Sequence, residues 1–437
     1  MHYFPAEVVM LSTVNSGTVF GIGGHPVTVE AELIKGLQAF HVVGLPEIAV
    51  RESRLRVQSA LRHSGFRVPQ GRITINLAPA EIPKRGAMLD LAIAVSVLVA
   101  SGQISAESVA ECGFVGELSL TGELRGGRGL LPIVAMGIER GWTKSLVPLD
   151  TLNQCSLLPQ ESLIPVRDLR DVVKVLCGVP EEITAKSSGS TPEERCVAPR
   201  PESGPPVLDM GQVQGQEDAK RVALIAAAGR HNLLLSGPPG CGKSMIAARL
   251  PHLLPPLTRK EALEIQLIRS VVGDPGFRQA SIWQRPFRSP HHSATQAAVL
   301  GGGAPVQPGE VSLAHGGVLF LDELPEYSRG VLEALRQPLE SAEVVVARVK
   351  ARVTLPANFM LVAAMNPCPC GFWGVKGYEC VCLSDEIGRY RKRLSGPILD
   401  RIDLCFHMPR VGFSSFSTSG EALTTADMLS QLLYIII

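Results

Sequence analysis

Aromatic residues make up only 5% of this 437-residue chain and charged residues 19%, with a formal net charge of +1. Such a balance excludes a chain-wide attraction to nucleic acid, so any such affinity must come from a local patch. Long hydrophobic runs are also missing. The longest, Leu91 to Ala100, is too short to cross a bilayer. Its helical pattern behind Asp90 predicts a buried core helix. The segment from Met1 to Gly17 has no basic stretch leading into an apolar one and a cleavage site, so no secretion signal is expected. Internal repeats and low-complexity tracts are absent. These absences predict a cytoplasmic protein without a membrane partner, whose ten cysteines stay mostly reduced.

What is present is enough apolar material, 45% of residues, to fill cores, and a length that predicts two or three domains. Residues 179–206 are rich in Pro, Ser, Glu and Gly with almost no apolar periodicity, and read as a linker. Before it, residues 1–178 alternate strand-like runs ("HPVTVEAEL", "GRITINLAP") with a helix-like one ("AVRESRLRVQSALRHSG"), which predicts a mixed α and β domain. Behind it, "HNLLLS", "GGVLFLDE" and "NFMLVAAMNP" are apolar runs ending in polar residues. Buried parallel strands with functional residues at their C-terminal ends have this pattern.

Gly237, Pro238, Pro239, Gly240, Cys241, Gly242, Lys243 and Ser244 spell "GPPGCGKS", a phosphate-binding loop placed between a strand and a helix. Its glycines let backbone N–H groups turn onto phosphates, Lys243 would reach the β and γ phosphates, and Ser244 would hold magnesium. Cys241 is chemically incidental there. Asp322 and Glu323 end the second run, as a magnesium-orienting acid and a base for the attacking water. Alone, they would mark only a strand entering solvent. Asn366 ends the third run and could bond a γ-phosphate or the lytic water; alone, it would be a turn former before Pro367.

Cys368, Cys370, Cys380 and Cys382 form C-x-C-x9-C-x-C, enough thiolates for a tetrahedral zinc site, although tight C-x-C pairs are less usual than C-x2-C. Zinc binding and free reduced thiols both remain open. "EVVVARVKARVTLP" reads as a β-hairpin in which Arg348, Lys350 and Arg352 alternate and so share one face, fit either for a phosphate backbone or for solvent. Between the phosphate loop and Asp322, "SPHHSATQAAVLGGGAPVQPGE" predicts a Gly-rich loop projecting toward a pore. Its His291 and His292 read as a solvated or satisfied pair rather than metal ligands.

Residues 207–412, with "GQEDAKRVALIAAAGRHNLLLSGPPGCGKS", "GGVLFLDELPE", "AAMNPCPCG" and "SGPILDRIDL", resemble the AAA+ module of the magnesium-chelatase-like ComM/YifB family. "GFRVPQGRITINLAPAEIPKRGAMLDLAIAV" and "VGELSLTGELRG" resemble that family's first domain. The resemblance implies an α/β fold: a Lon-protease-like (ribosomal S5 domain 2-like) α+β domain, followed by a P-loop NTPase domain with a parallel sheet. It implies ATP and Mg2+ as cofactors and a homo-hexameric ring that moves DNA, single-stranded or branched, in recombination or natural transformation. Catalytic roles carry over to Glu323, Asn366 and Arg401, the last as an arginine finger reaching a neighbouring subunit. The alternative for Arg401 is an ion pair with Asp400 or Asp403. Lon-type proteases use a Ser and Lys pair, where this chain has Met88 and Leu131, so protease activity is not expected. Two other readings stay open: a chelatase-type motor subunit, and a nucleotide-binding scaffold without turnover. The scaffold reading comes from residues 413–437, which leave the family pattern and are too short for its helical lid, as a truncation or frame change would produce.

Overall fold

The computed structural model describes residues 10–179, 208–273, 282–304, 306–348, 351–394, 396–410 and 423–436. The expected linker lies outside the described residues except at Val179. Two compact units emerge: residues 1–199 with 266–279, and residues 200–265 with 280–437.

In the first unit, apolar residues alternate along Gly23–Ile34, and Val27, Val29 and Ala31 are buried while their neighbours are only partly covered. That period of two makes a strand with one face inward. The strands are β1 (Met10–Phe20), β2 (Gly23–Ile34), β3 (Ala39–Val43), β4 (Arg72–Ala78), β5 (Cys112–Phe114), β6 (Lys144–Pro148) and β7 (Leu163–Val166). They form one mixed sheet in the order β3-β4-β2-β1-β5-β6-β7. The apolar run anticipated as a core helix is the helix Asp90–Ala100, buried at every residue. An all-round apolar helix has no solvent face to offer, and this one packs against β1 and β2.

Asp90 opens that helix with no exposure. Its carboxylate accepts from the Ser53 hydroxyl and pairs with Arg56 Nε at 2.6 Å, both on the helix Ile48–His63. Burial pushes the Asp90 carboxyl up, against the pull of Arg56 and Ser53. Met88 and Leu131 are both buried apolar side chains.

The second unit carries a five-stranded, wholly parallel sheet: β8 (Leu233–Ser236), β9 (Phe287–Arg288), β10 (Val318–Leu321), β13 (Met360–Met365) and β14 (Leu404–His407), ordered β9-β10-β13-β8-β14. β10 and β13 are buried at every position, as a sheet covered on both faces requires. Strands β11 (Glu343–Arg348) and β12 (Ala351–Pro356) form a separate antiparallel hairpin.

One expectation changes here. The Gly-rich excursion is more regular than a projecting loop: it contains the helix Gln296–Leu300, capped by Thr295, and a two-stranded bridge of Gly301–Gly302 with Gln307–Pro308. In the hairpin, Ala347 is registered with Arg352 and Arg348 with Ala351, so backbone register rather than alternation along one strand sets where these residues lie; Lys350 lies outside the described residues. The Ser-rich tail ends in a helix, Thr425–Ile436, with Met428 fully buried in the core of this unit.

Candidate nucleotide site

The middle of the parallel sheet positions the site. β8 ends at Ser236, and the chain turns through Gly240 (φ +74°) and Gly242 (φ +96°) into the helix Lys243–Arg249. Left-handed backbone at both glycines allows the loop to curl back on itself. Lys243 is buried, and its ammonium donates to the carbonyls of Gly237 (2.7 Å) and Pro238 (3.0 Å) and to Asn366 Oδ1 (3.1 Å). Asn366 is thereby brought beside the phosphate loop from the end of the neighbouring strand β13.

Ser244 Oγ donates to Asp322 Oδ2 at 2.9 Å. A hydroxyl and a carboxylate held together at a strand end are the oxygen pair that a magnesium ion bound to nucleotide uses, so the donor set fits Mg2+. Glu323 follows in a left-handed conformation (φ +51°), its carboxylate 3.2 Å from His292 Nδ1. His291 bonds Ser293 Oγ at 2.8 Å, so both histidines have protein partners and neither stands in a metal-ligand cluster among the described residues.

Arg401 sits at the other end of the sheet. Its carbonyl accepts from Asn232, which precedes β8, while the phosphate loop follows β8. A strand of four residues spans roughly 13 Å, which separates the Arg401 backbone from its own phosphate-binding loop. Its ion-pair partner is Glu340, not Asp400 or Asp403.

The four thiols form one cluster, with all sulfurs within 4.8 Å of one another. Cys368 and Cys370 stand 3.3 Å apart, and Cys380 is 3.7 and 3.6 Å from them. Four sulfurs around one zinc at 2.3 Å would lie roughly 3.8 Å apart, so the geometry fits Zn2+. The backbone N–H of Trp373 donates to Cys368 Sγ and that of Cys370 to Cys382 Sγ. Chiefly through the Phe372 N–H, Cys370 is pulled down to about 6, while Cys380 and Cys382, despite accepting backbone N–H bonds, are pushed up by their neighbouring thiols.

Sequence reasoning missed three partners. His292 faces Glu323, Tyr390 braces the backbone of Asn366, and Gln216 bonds the carbonyls of Cys241 and Pro409. Each pairing joins segments far apart in the chain, so spacing alone carries no sign of it.

A parallel sheet ordered around a phosphate-loop strand, with the acidic strand and an Asn-ending strand on one side, defines the AAA+ P-loop class of motor ATPases. Family comparison narrows this. Residues 209–416 match the family model described as magnesium chelatase, subunit ChlI, and residues 29–151 match that of subunit ChlI of Mg-chelatase. The chain is 42% identical over 428 residues to competence protein ComM of Haemophilus influenzae, covering 96% of this chain and 81% of that one. It is 45% identical over 400 residues to YifB of Escherichia coli, covering 91% and 76%. More distantly, it is 27% identical over 221 residues to the magnesium-chelatase 67 kDa subunit of Heliobacterium mobile, covering 44% and 32%. The chain belongs to the magnesium-chelatase-like ComM/YifB family of AAA+ proteins.

Proposed function

We propose that this chain is an ATP-hydrolysing ring motor that moves DNA, as a branch-migration or helicase activity in recombination or natural transformation. The observation that carries the reading is the meeting of Lys243, Ser244, Asp322 and Asn366 at the C-terminal ends of three adjacent parallel strands. In it, Lys243 exchanges its loop carbonyls for phosphate oxygens, and Ser244 and Asp322 hold Mg2+. Glu323 takes a proton from the attacking water, and Asn366 orients that water or the γ-phosphate. Arg401 acts on the neighbouring subunit's nucleotide, which a ring of identical subunits provides; a homo-hexamer is the assembly this favours.

The similarity to competence protein ComM supports DNA as the substrate, and Arg348, Lys350 and Arg352 around the hairpin turn are the contact candidates. The working compartment is the cytoplasm, where ATP and chromosomal DNA are available; among the described residues no helix is long and apolar enough to cross a membrane. The four cysteines hold a structural zinc.

The test is ATP hydrolysis with and without single-stranded or branched DNA. DNA should raise the rate, and Glu323→Gln should lower kcat by about a hundredfold or more while ATP still binds. Turnover that ignores DNA would turn the reading toward a chelatase-type motor, and no turnover in the wild type toward a scaffold.

A further inference from the structure

We propose that the zinc-binding cysteine knuckle is a clamp on the phosphate-binding loop, so that nucleotide affinity depends on the metal. The inference rests on the nucleotide site above, and on a contact the chain order does not reveal. Gly371, directly after Cys370, has φ +86°, and a Cβ placed on it would come within 2.6 Å of Pro239 Cδ and 2.8 Å of Cγ. The knuckle backbone therefore lies flush against the ring of Pro239, inside the phosphate loop. A second contact runs between the same two stretches, from Lys243 Nζ to Asn366 Oδ1. Residues 366–371 thus hold the loop at two points.

What holds residues 366–371 is the cluster. Cys368 is fully buried, the Gly371 N–H donates to the Cys368 carbonyl at 3.0 Å, and the sulfurs of Cys368 and Cys370 meet those of the distant Cys380 and Cys382. Zinc–thiolate bonds tie the two C-x-C pairs together; without the ion, adjacent thiolates repel and thiols bond weakly. Phe372 stacks on Tyr378 at 5.0 Å within the knuckle, and the Arg391 guanidinium, 4.2 Å above Trp373, ties its outer shell to the helix Ser384–Arg391. Losing zinc would therefore release the inner turn, at Gly371 and Asn366, onto which the phosphate loop is packed.

The test uses the full chain, metal analysis and titration with a fluorescent ATP analogue. Wild type should carry about one zinc per chain, lose tenfold or more in affinity when a chelator strips it, and recover when zinc is returned. Gly371→Ala should keep its zinc yet bind the analogue at least fivefold more weakly. Gly374→Ala is the matched control, since Gly374 has φ +74° in the same knuckle with nothing within 4 Å, and should stay within twofold of wild type. Pro239→Ala removes the contact from the loop side and should reproduce the loss with full zinc content. Affinity unchanged by stripping, or equal in Gly371→Ala and Gly374→Ala, would overturn the clamp, as would a wild type without zinc. A wild type that binds no analogue would overturn the nucleotide site itself.

Discussion

At the scale of single residues, the two units use buried charge in opposite ways. Lys243 is buried against loop carbonyls and an amide oxygen, partners a phosphate can replace. Asp90 is buried against Arg56, Ser53 and the Leu118 N–H, partners nothing replaces. Asp90→Asn leaves the Arg56 charge without its partner in a low-dielectric setting, which costs about 3 kcal/mol or more. Urea unfolding should show the first unit's transition shifted to lower denaturant, with ATP-analogue affinity unchanged. Sequence pattern made Lys243 a phosphate-binding candidate because such a loop is contiguous. The Asp90 network is not contiguous, since Ser53 and Arg56 lie on another helix and meet it only after packing.

At the scale of elements, the tail helix shows how a short segment is anchored. The hydroxyl and backbone N–H of Thr425 both donate to Asp209 Oδ1, and the Met210 N–H donates back to Thr425 Oγ1. Backbone N–H groups, Thr425 first and then Gly211, hold the Asp209 carboxyl below its ordinary value. A carboxylate with a depressed folded pKa binds its proton less readily folded than unfolded. Its contribution is therefore complete above the unfolded value near pH 4 and is lost as pH falls through the lower folded value. The protection of the Met428 N–H, its exchange rate relative to the intrinsic rate at each pH, should fall as the pH is lowered through that window in wild type, and Asp209→Asn should remove that step. The strands β8, β10 and β13 were readable as uniform apolar runs, whereas the helix in the Gly-rich excursion was hidden by the glycines after it.

At the scale of the whole molecule, the proposed ring assigns Arg401, whose backbone lies at the far end of the sheet from its own phosphate loop, to the neighbouring subunit's site. Arg401→Ala should lower hydrolysis about a thousandfold while ATP still binds. Mixing Arg401→Ala subunits with Glu323→Gln subunits should restore part of the lost rate, because some interfaces then pair an intact finger with an intact base. Recovery absent at every mixing ratio would place the arginine in its own subunit's chemistry.

The sequence by itself determined the phosphate loop, the order of strand-end residues and the cysteine spacing, because each is local: a turn, a strand end or a pair of ligands needs only neighbours in the chain. Tertiary structure alone decided which of these meet. It set Asn366 against Lys243 and Ser244 against Asp322, and placed His292 beside Glu323. It also set the register of the hairpin, which alternation along a single strand does not specify. The contact of Gly371 with Pro239 is of the same kind. Parallel strands are joined by long crossovers, so the residues at their ends become neighbours only when the sheet has closed.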